Sequence, residues 1–124
     1  MTITDPNHYV EIARKHLGKV QDAWEEPDWD DLTSYGLYCL EECIRAAVLK
    51  NGDTPVRTHY GKVDQSIRLA NDHGFPDIKD LLTELNDGRK ANAYGDDEFD
   101  EDEYDAEDIV SRIEAYFDAT EKFV

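Results

Sequence analysis

Apolar residues recur along this chain at alternating spacings of three and four, the period of an α-helix that turns one face toward a core. In the first such stretch Val10, Ala13, Leu17, Val20 and Trp24 share a stripe. Asp5-Pro6 ahead of it offers an N-cap and a first-turn proline, and Pro27 stops it. A second stretch, from about Asp30 to Lys50, is apolar around most of its girth. Its main interruptions are Ser34, Glu41, Glu42 and Arg45, which predicts a helix at the centre of a bundle, ended by Asn51-Gly52. Thr58 is placed to cap a third helix whose Val63, Ile67 and Ala70 face inward and which His73-Gly74 closes. Pro76-Asp77 opens a fourth with the stripe Ile78, Leu81, Leu82 and Leu85; Gly88 lies inside it and permits close packing or a kink. Asp105 caps a fifth, lined by Ile109, Ile113, Tyr116, Phe117 and Thr120. Strand signals are absent. The pattern predicts an all-α, antiparallel up-and-down bundle of about five helices, one domain over residues 1–124.

Composition agrees with one packed core. A chain of 124 residues with 40% hydrophobic content, seven tyrosines and two tryptophans has the apolar surface a single small domain needs. No apolar run reaches the roughly 20 residues of a membrane span. The opening Met1-Thr2-Ile3-Thr4-Asp5-Pro6 lacks the basic and apolar regions of a secretion signal, so no membrane and a cytoplasmic location are expected. Cys39 and Cys43, one helical turn apart, are too few for a secreted disulfide framework and fit a reducing compartment.

Charge changes the picture. Thirteen basic residues against 30 acidic ones give a formal net charge of −17. Such a chain is repelled by nucleic acid unless its cations are gathered in one place. Arg45, Lys50, Arg57, Lys62, Arg68, Lys79, Arg89 and Lys90 all fall in the middle of the sequence. The acids crowd into Asp96 to Asp108 and into Glu25, Glu26, Asp28, Asp30 and Asp31. The excess of aspartate over glutamate and the scarcity of lysine fit a high-salt source; a mesophilic protein kept soluble by its charge is the alternative, and composition alone does not separate the two. The run Asp96 to Asp108 reads as a solvated loop, a docking strip for a basic partner, or a nucleic-acid mimic, and Phe99 and Tyr104 within it favour docking.

The candidate chemistry sits at the end of the fourth helix, in Arg89-Lys90-Ala91-Asn92-Ala93-Tyr94-Gly95-Asp96. An arginine and a phenol five apart project from neighbouring turns of one face, and Gly95 stands where a left-handed C-cap would. About thirty residues earlier Thr54-Pro55-Val56-Arg57-Thr58-His59-Tyr60-Gly61 places an imidazole at a helix N-terminus, and behind both lies the tyrosine-rich second helix, Ser34 to Leu49. This order of pieces resembles the HEPN family (higher eukaryote and prokaryote nucleotide-binding domain), small all-helical proteins of prokaryotic toxin–antitoxin and defence systems. It is most similar to the branch in which an Arg-x-x-Ala-x-Tyr-Gly-Asp pattern ends the penultimate helix, with Asn92 here at the alanine position, and the likeness covers roughly residues 8 to 124.

The resemblance implies a two-fold homodimer with the arginine motifs near the axis, a nucleotide or RNA ligand, and a minimal nucleotidyltransferase as partner. HEPN ribonucleases act on an RNA phosphodiester with an arginine and a histidine four to six residues later. Arg89 matches the arginine, but Tyr94 stands at the fifth position after it and no histidine follows downstream. A phenol with an ordinary pKa near 10 is a poor general base at neutral pH. Arg89, Tyr94, His59 and Lys90 are therefore the candidate phosphate-binding set, with Arg89, Tyr94 and His59 the catalytic candidates only if the chain is a nuclease. A guanidinium can grip phosphate with two parallel donors, and Tyr94 can stack or donate one hydrogen bond. The structural alternative pairs Arg89 with Asp96 or Asp97, packs Tyr94 at the bundle end and ties His59 to a turn carbonyl.

Two further groupings carry less. Arg68 and His73 meet the arginine–histidine spacing literally but lie on the third helix, away from the motif's element. Cys39 and Cys43 with His16 lack the close-pair spacing of zinc ligands and read as core residues, so no metal and no cofactor are expected. Tyr35, Tyr38 and Cys39 are expected as leftover apolar surface of the second helix, marking an interface. Three function classes follow: a HEPN-like dimeric interaction and nucleotide-binding module, a metal-independent endoribonuclease using Arg89, and an acidic nucleic-acid mimic. The missing histidine and the charge argue against the second, and the ordered helical motifs against the third.

Overall fold

The computed structural model describes residues 5–25, 28–94 and 105–124, except for the side chains of Glu25 and of residues 90–94. Its described residues form five helices: α1 Pro6–Glu25, α2 Trp29–Lys50, α3 His59–His73, α4 Lys79–Tyr94 and α5 Ala106–Phe123. The all-α expectation holds.

Chain punctuation produces these boundaries. Asp28 caps α2 by accepting from the Asp31 amide at 3.2 Å, Thr58 caps α3 from Gly61 at 3.0 Å, and Asp105 caps α5 from Asp108 at 3.2 Å. Each oxygen satisfies a first-turn amide that has no partner within its helix. Gly74, at φ +72°, closes α3 in the left-handed conformation that glycine adopts without a steric cost. α4 starts at Lys79 rather than at Pro76-Asp77, because Asp77 stays outside and its carboxylate accepts from the Lys79 amide at 3.1 Å. The helix then continues through Gly88 to Tyr94.

α2 packs against each of the other four helices, as its apolar girth predicts. Leu37, Leu40, Cys43, Ile44 and Ala47 are all buried along it. α1 lies antiparallel to α2: the Arg45 guanidinium sits over the Tyr9 ring at 5.1 Å, and His16 meets Tyr35 and Tyr38 at 5.9 and 5.6 Å. α5 runs antiparallel to α1, since Arg14 donates to Glu121 at 2.9 Å while Gln21 donates to Glu114 at 3.3 Å. Arg112 clasps the start of α4 to α5 through both oxygens of Asp80, at 2.9 and 3.2 Å, and the Asp77 carbonyl at 3.1 Å.

Three further sequence expectations need correction. Trp24 closes the predicted α1 stripe, yet it is 40% exposed and Ala23 takes the buried place beside it. On α3 the buried face is Lys62, Ser66 and Leu69, while Val63, Ile67 and Ala70 are only half-buried. The helix is rotated because Lys62 reaches Glu41 of α2 at 2.8 Å, both side chains being largely shielded, and a charge can be buried only with such a partner. Cys39, expected on an exposed interface, is fully buried; Tyr35 is half-buried and Tyr38 is 38% exposed.

Candidate functional site

α4 delivers Arg89. Ile78, Leu81, Leu82 and Leu85 are all buried and fix the helix against the core, and Leu85 sits one turn before Arg89. It packs where α2 has only Gly36: a methyl group there would meet Ile113 Cδ1 at 2.9 Å and Leu85 Cδ1 at 3.5 Å. The missing side chain lets α2, α4 and α5 come close, and Asn86 and Gly88 of α4 are buried as well.

Arg89 is half-buried. Its Nη2 donates to Asn86 Oδ1 at 3.1 Å, which holds the guanidinium from its own helix. Its Nε is buried and makes no hydrogen bond. Among the described residues no carboxylate pairs with it, so the alternative that neutralises Arg89 rests on Asp96 and Asp97, which lie outside the described residues. A guanidinium oriented by an amide, with a buried donor to spare, is chemically ready for an oxyanion. Lys90 and Tyr94 belong to α4, but their side chains lie outside the described residues, as do the Gly95 cap and the acidic run as far as Tyr104.

His59 is the first residue of α3, half-buried, with its ring edge-on to Tyr60 at 5.8 Å. The turn before it is tight, since a Cβ on Gly61 would fall 2.5 Å from Val56 Cγ2. α3 has no acidic side chain in its first turn, so its N-terminal amide dipoles are not offset there. None of the described contacts joins His59 to Arg89.

Arg68 and His73, set aside at the sequence level, line one cavity of about 270 Å³ with Gln65, Asp72 and the Asn51–Thr54 turn. His73 also packs on the Phe123 ring at 5.0 Å, a structural role that accounts for it. The thiols of Cys39 and Cys43 are free and fully buried, and the hydrogen bond between them, together with burial, pushes the Cys39 thiol well above its usual range. His16 stacks on tyrosines instead of approaching the sulfurs, and burial lowers its pKa. No three metal-binding side chains gather among the described residues.

Sequence reading missed two groupings. The Glu41–Lys62 pair joins residues 21 apart on different helices, a separation no periodicity encodes. Burial holds the neighbouring Glu42 carboxyl above its usual range, against the opposing pull of Arg45 and Lys62. The His16–Tyr35–Tyr38 cluster is likewise a product of α1–α2 register.

Fold and site thus define a small all-helical domain with an arginine carried at the end of its penultimate helix. The model of the HEPN domain family matches residues 7–123, and the chain belongs to that family. The match extends over nearly the whole chain and supports a nucleotide- or RNA-related or toxin–antitoxin-type role at the level of the family. Comparison with curated proteins and with solved structures returns no match. No helix among the described residues is long and apolar enough to cross a membrane.

Proposed function

We propose that this chain is a single-domain HEPN module that associates with a second copy of itself. In this reading it holds a nucleotide or RNA phosphate at the Arg89 end of α4, within a prokaryotic toxin–antitoxin or defence system that includes a minimal nucleotidyltransferase. The observation that carries the reading is the state of Arg89: oriented through Nη2 by Asn86, with Nε buried and unbonded. Lys90 adds charge from the next position, Tyr94 supplies a ring for stacking, and His59 supplies a second donor at a helix N-terminus. The chain offers no histidine after Arg89, which supports binding without cleavage. HEPN domains often dimerise, and the half-exposed Tyr35 and Tyr38 face supports the same here.

Isothermal titration with ATP, AMP and a short single-stranded RNA tests the ligand. Arg89→Ala should abolish the heat of binding while Arg89→Lys keeps part of it, with the melting temperature little changed. Unaltered binding by Arg89→Ala would remove the assignment. RNA should stay intact at neutral pH, and cleavage lost in Arg89→Ala but kept in His73→Ala would restore the nuclease reading. Light scattering should report about 29 kDa, twice the 14.3 kDa chain.

A further inference from the structure

An open groove of about 410 Å³ runs between α1 and α5, lined by Gln21, Trp24, Glu107, Val110, Ser111 and Glu114. Its floor is apolar, since Val110 is buried there, and the 40% exposed Trp24 forms one wall. Gln21 donates to Glu114 across the groove at 3.3 Å, so the two helices are bridged at one end and open toward Glu107 at the other. On its far side Trp24 borders a smaller pocket with Asp28, Trp29 and Ala106.

The charge here has one sign. Asp28, Glu107 and Glu114 line the groove and the pocket beside it, and among the described residues no lysine or arginine does. α1 ends at this point without a basic residue in its last turn, so its carbonyl end adds to the negative potential. An exposed indole beside carboxylates suits a cation twice over. The ring face attracts guanidinium or ammonium, and the carboxylates accept its hydrogen bonds. Tryptophan over an apolar floor, ringed by charge, is also how the energetic centre of an interface is built.

We infer that this groove receives an arginine- or lysine-bearing segment of a partner protein, with the cationic side chain over the Trp24 indole and its charge met by Glu107 and Glu114. The net charge of −17 draws such a segment in from a distance, and the groove gives it a seat. This inference is independent of the phosphate reading at Arg89.

Fluorescence anisotropy of the full chain with a labelled peptide of alternating arginine and glycine, at 0.1 M salt, tests it. The wild type should bind. Trp24→Ala should weaken binding about five- to tenfold with an unchanged melting temperature, and Trp24→Phe should recover part of the loss. Glu107→Gln with Glu114→Gln should weaken it about tenfold or more. The charge-matched pair Asp64→Asn with Asp72→Asn, on exposed positions of α3 away from the groove, should change it less than about twofold. Equal weakening by that control pair, or full binding by Trp24→Ala, would show attraction by overall charge and overturn the groove. Displacement by spermidine at peptide-like concentrations would overturn the assignment to a protein segment in favour of a free amine.

Discussion

Replacing Gly36 by alanine tests whether the α2–α4–α5 seam is as close as described. Alanine gains about 1 kcal/mol over glycine inside a helix, because glycine loses more backbone freedom on folding. Against this, the new methyl would stand 2.9 Å from Ile113 Cδ1, in a core where Ile113 is 0% and Leu85 1% exposed. Forcing a carbon into such packing costs about 1–3 kcal/mol. Gly36→Ala should therefore lose about 1 kcal/mol net. Ile113→Val removes the offending Cδ1 at a cost of about 0.5–1.5 kcal/mol. In that background the nearest remaining neighbours are Leu85 Cδ1 and Cδ2 at 3.5 and 3.8 Å, ordinary contacts. There Gly36→Ala should stabilise by about 1 kcal/mol, so the coupling between the two sites is about 2 kcal/mol. Urea unfolding followed by circular dichroism at 222 nm reads all four proteins, with a constant m-value as the condition for comparing them. The same effect of Gly36→Ala in both backgrounds would refute the seam. Because Leu85 lies one turn from Arg89, the single variant should also weaken any anion held there, and Ile113→Val should restore it.

Lys62→Met should cost about 3 kcal/mol in denaturant titration, because Glu41 is left shielded without its cation, and adding Glu41→Leu should return most of the loss; a single variant as stable as wild type would contradict the burial of the pair. His16 should titrate below the ordinary 6.5 in an NMR experiment, since burial disfavours its charged form. Its contribution is present above pH 6.5 and is lost as pH falls through the lower folded value, so His16→Gln should flatten the stability curve on that acid side. Asp80, held low chiefly by its hydrogen bond from Arg112, contributes above the ordinary carboxylate range and loses that contribution in stronger acid; Arg112→Gln should remove this acid dependence. Melting temperature should rise between 0.1 and 1 M sodium chloride as the screening length falls from about 10 to about 3 Å, and a fall would mean that ion pairs outweigh the self-repulsion of the acidic chain.

Helix content and caps were legible because each depends on neighbours in sequence. Asp28 was read only as part of an acidic patch, yet it caps α2 through the same local rule that made Thr58 and Asp105 recognisable. The stripes of α4 and α5 are buried residue for residue, since their aliphatic and aromatic side chains have no competing polar partner and Thr120 satisfies its hydroxyl on the Tyr116 carbonyl of its own helix. α3 was misjudged by about one residue of rotation. Its weak apolar stripe lost to a lysine that finds a carboxylate on another helix, and that partnership is invisible in a single helical segment. Trp24 was misread for the complementary reason, because periodicity counts an indole as core wherever it falls on the stripe. At the candidate site, Arg89 was legible from the motif and its helix, while its tether to Asn86 and its spare Nε depend on side-chain rotamers.

The two thiols inside α2 give the protein a built-in clock. Cys39 and Cys43 are free and fully buried, and burial with the contact from Cys43 keeps the Cys39 thiol from ionising, so an alkylating reagent cannot reach either while the central helix stays covered. Every other helix lies against α2, and uncovering its sulfurs requires the bundle to come apart rather than a terminus to fray. The rate of thiol modification in native buffer therefore reports how often the whole molecule opens, without denaturant and without an added label. A bound phosphate, a second copy of the chain or a basic peptide should each slow that rate in proportion to its hold on the closed form.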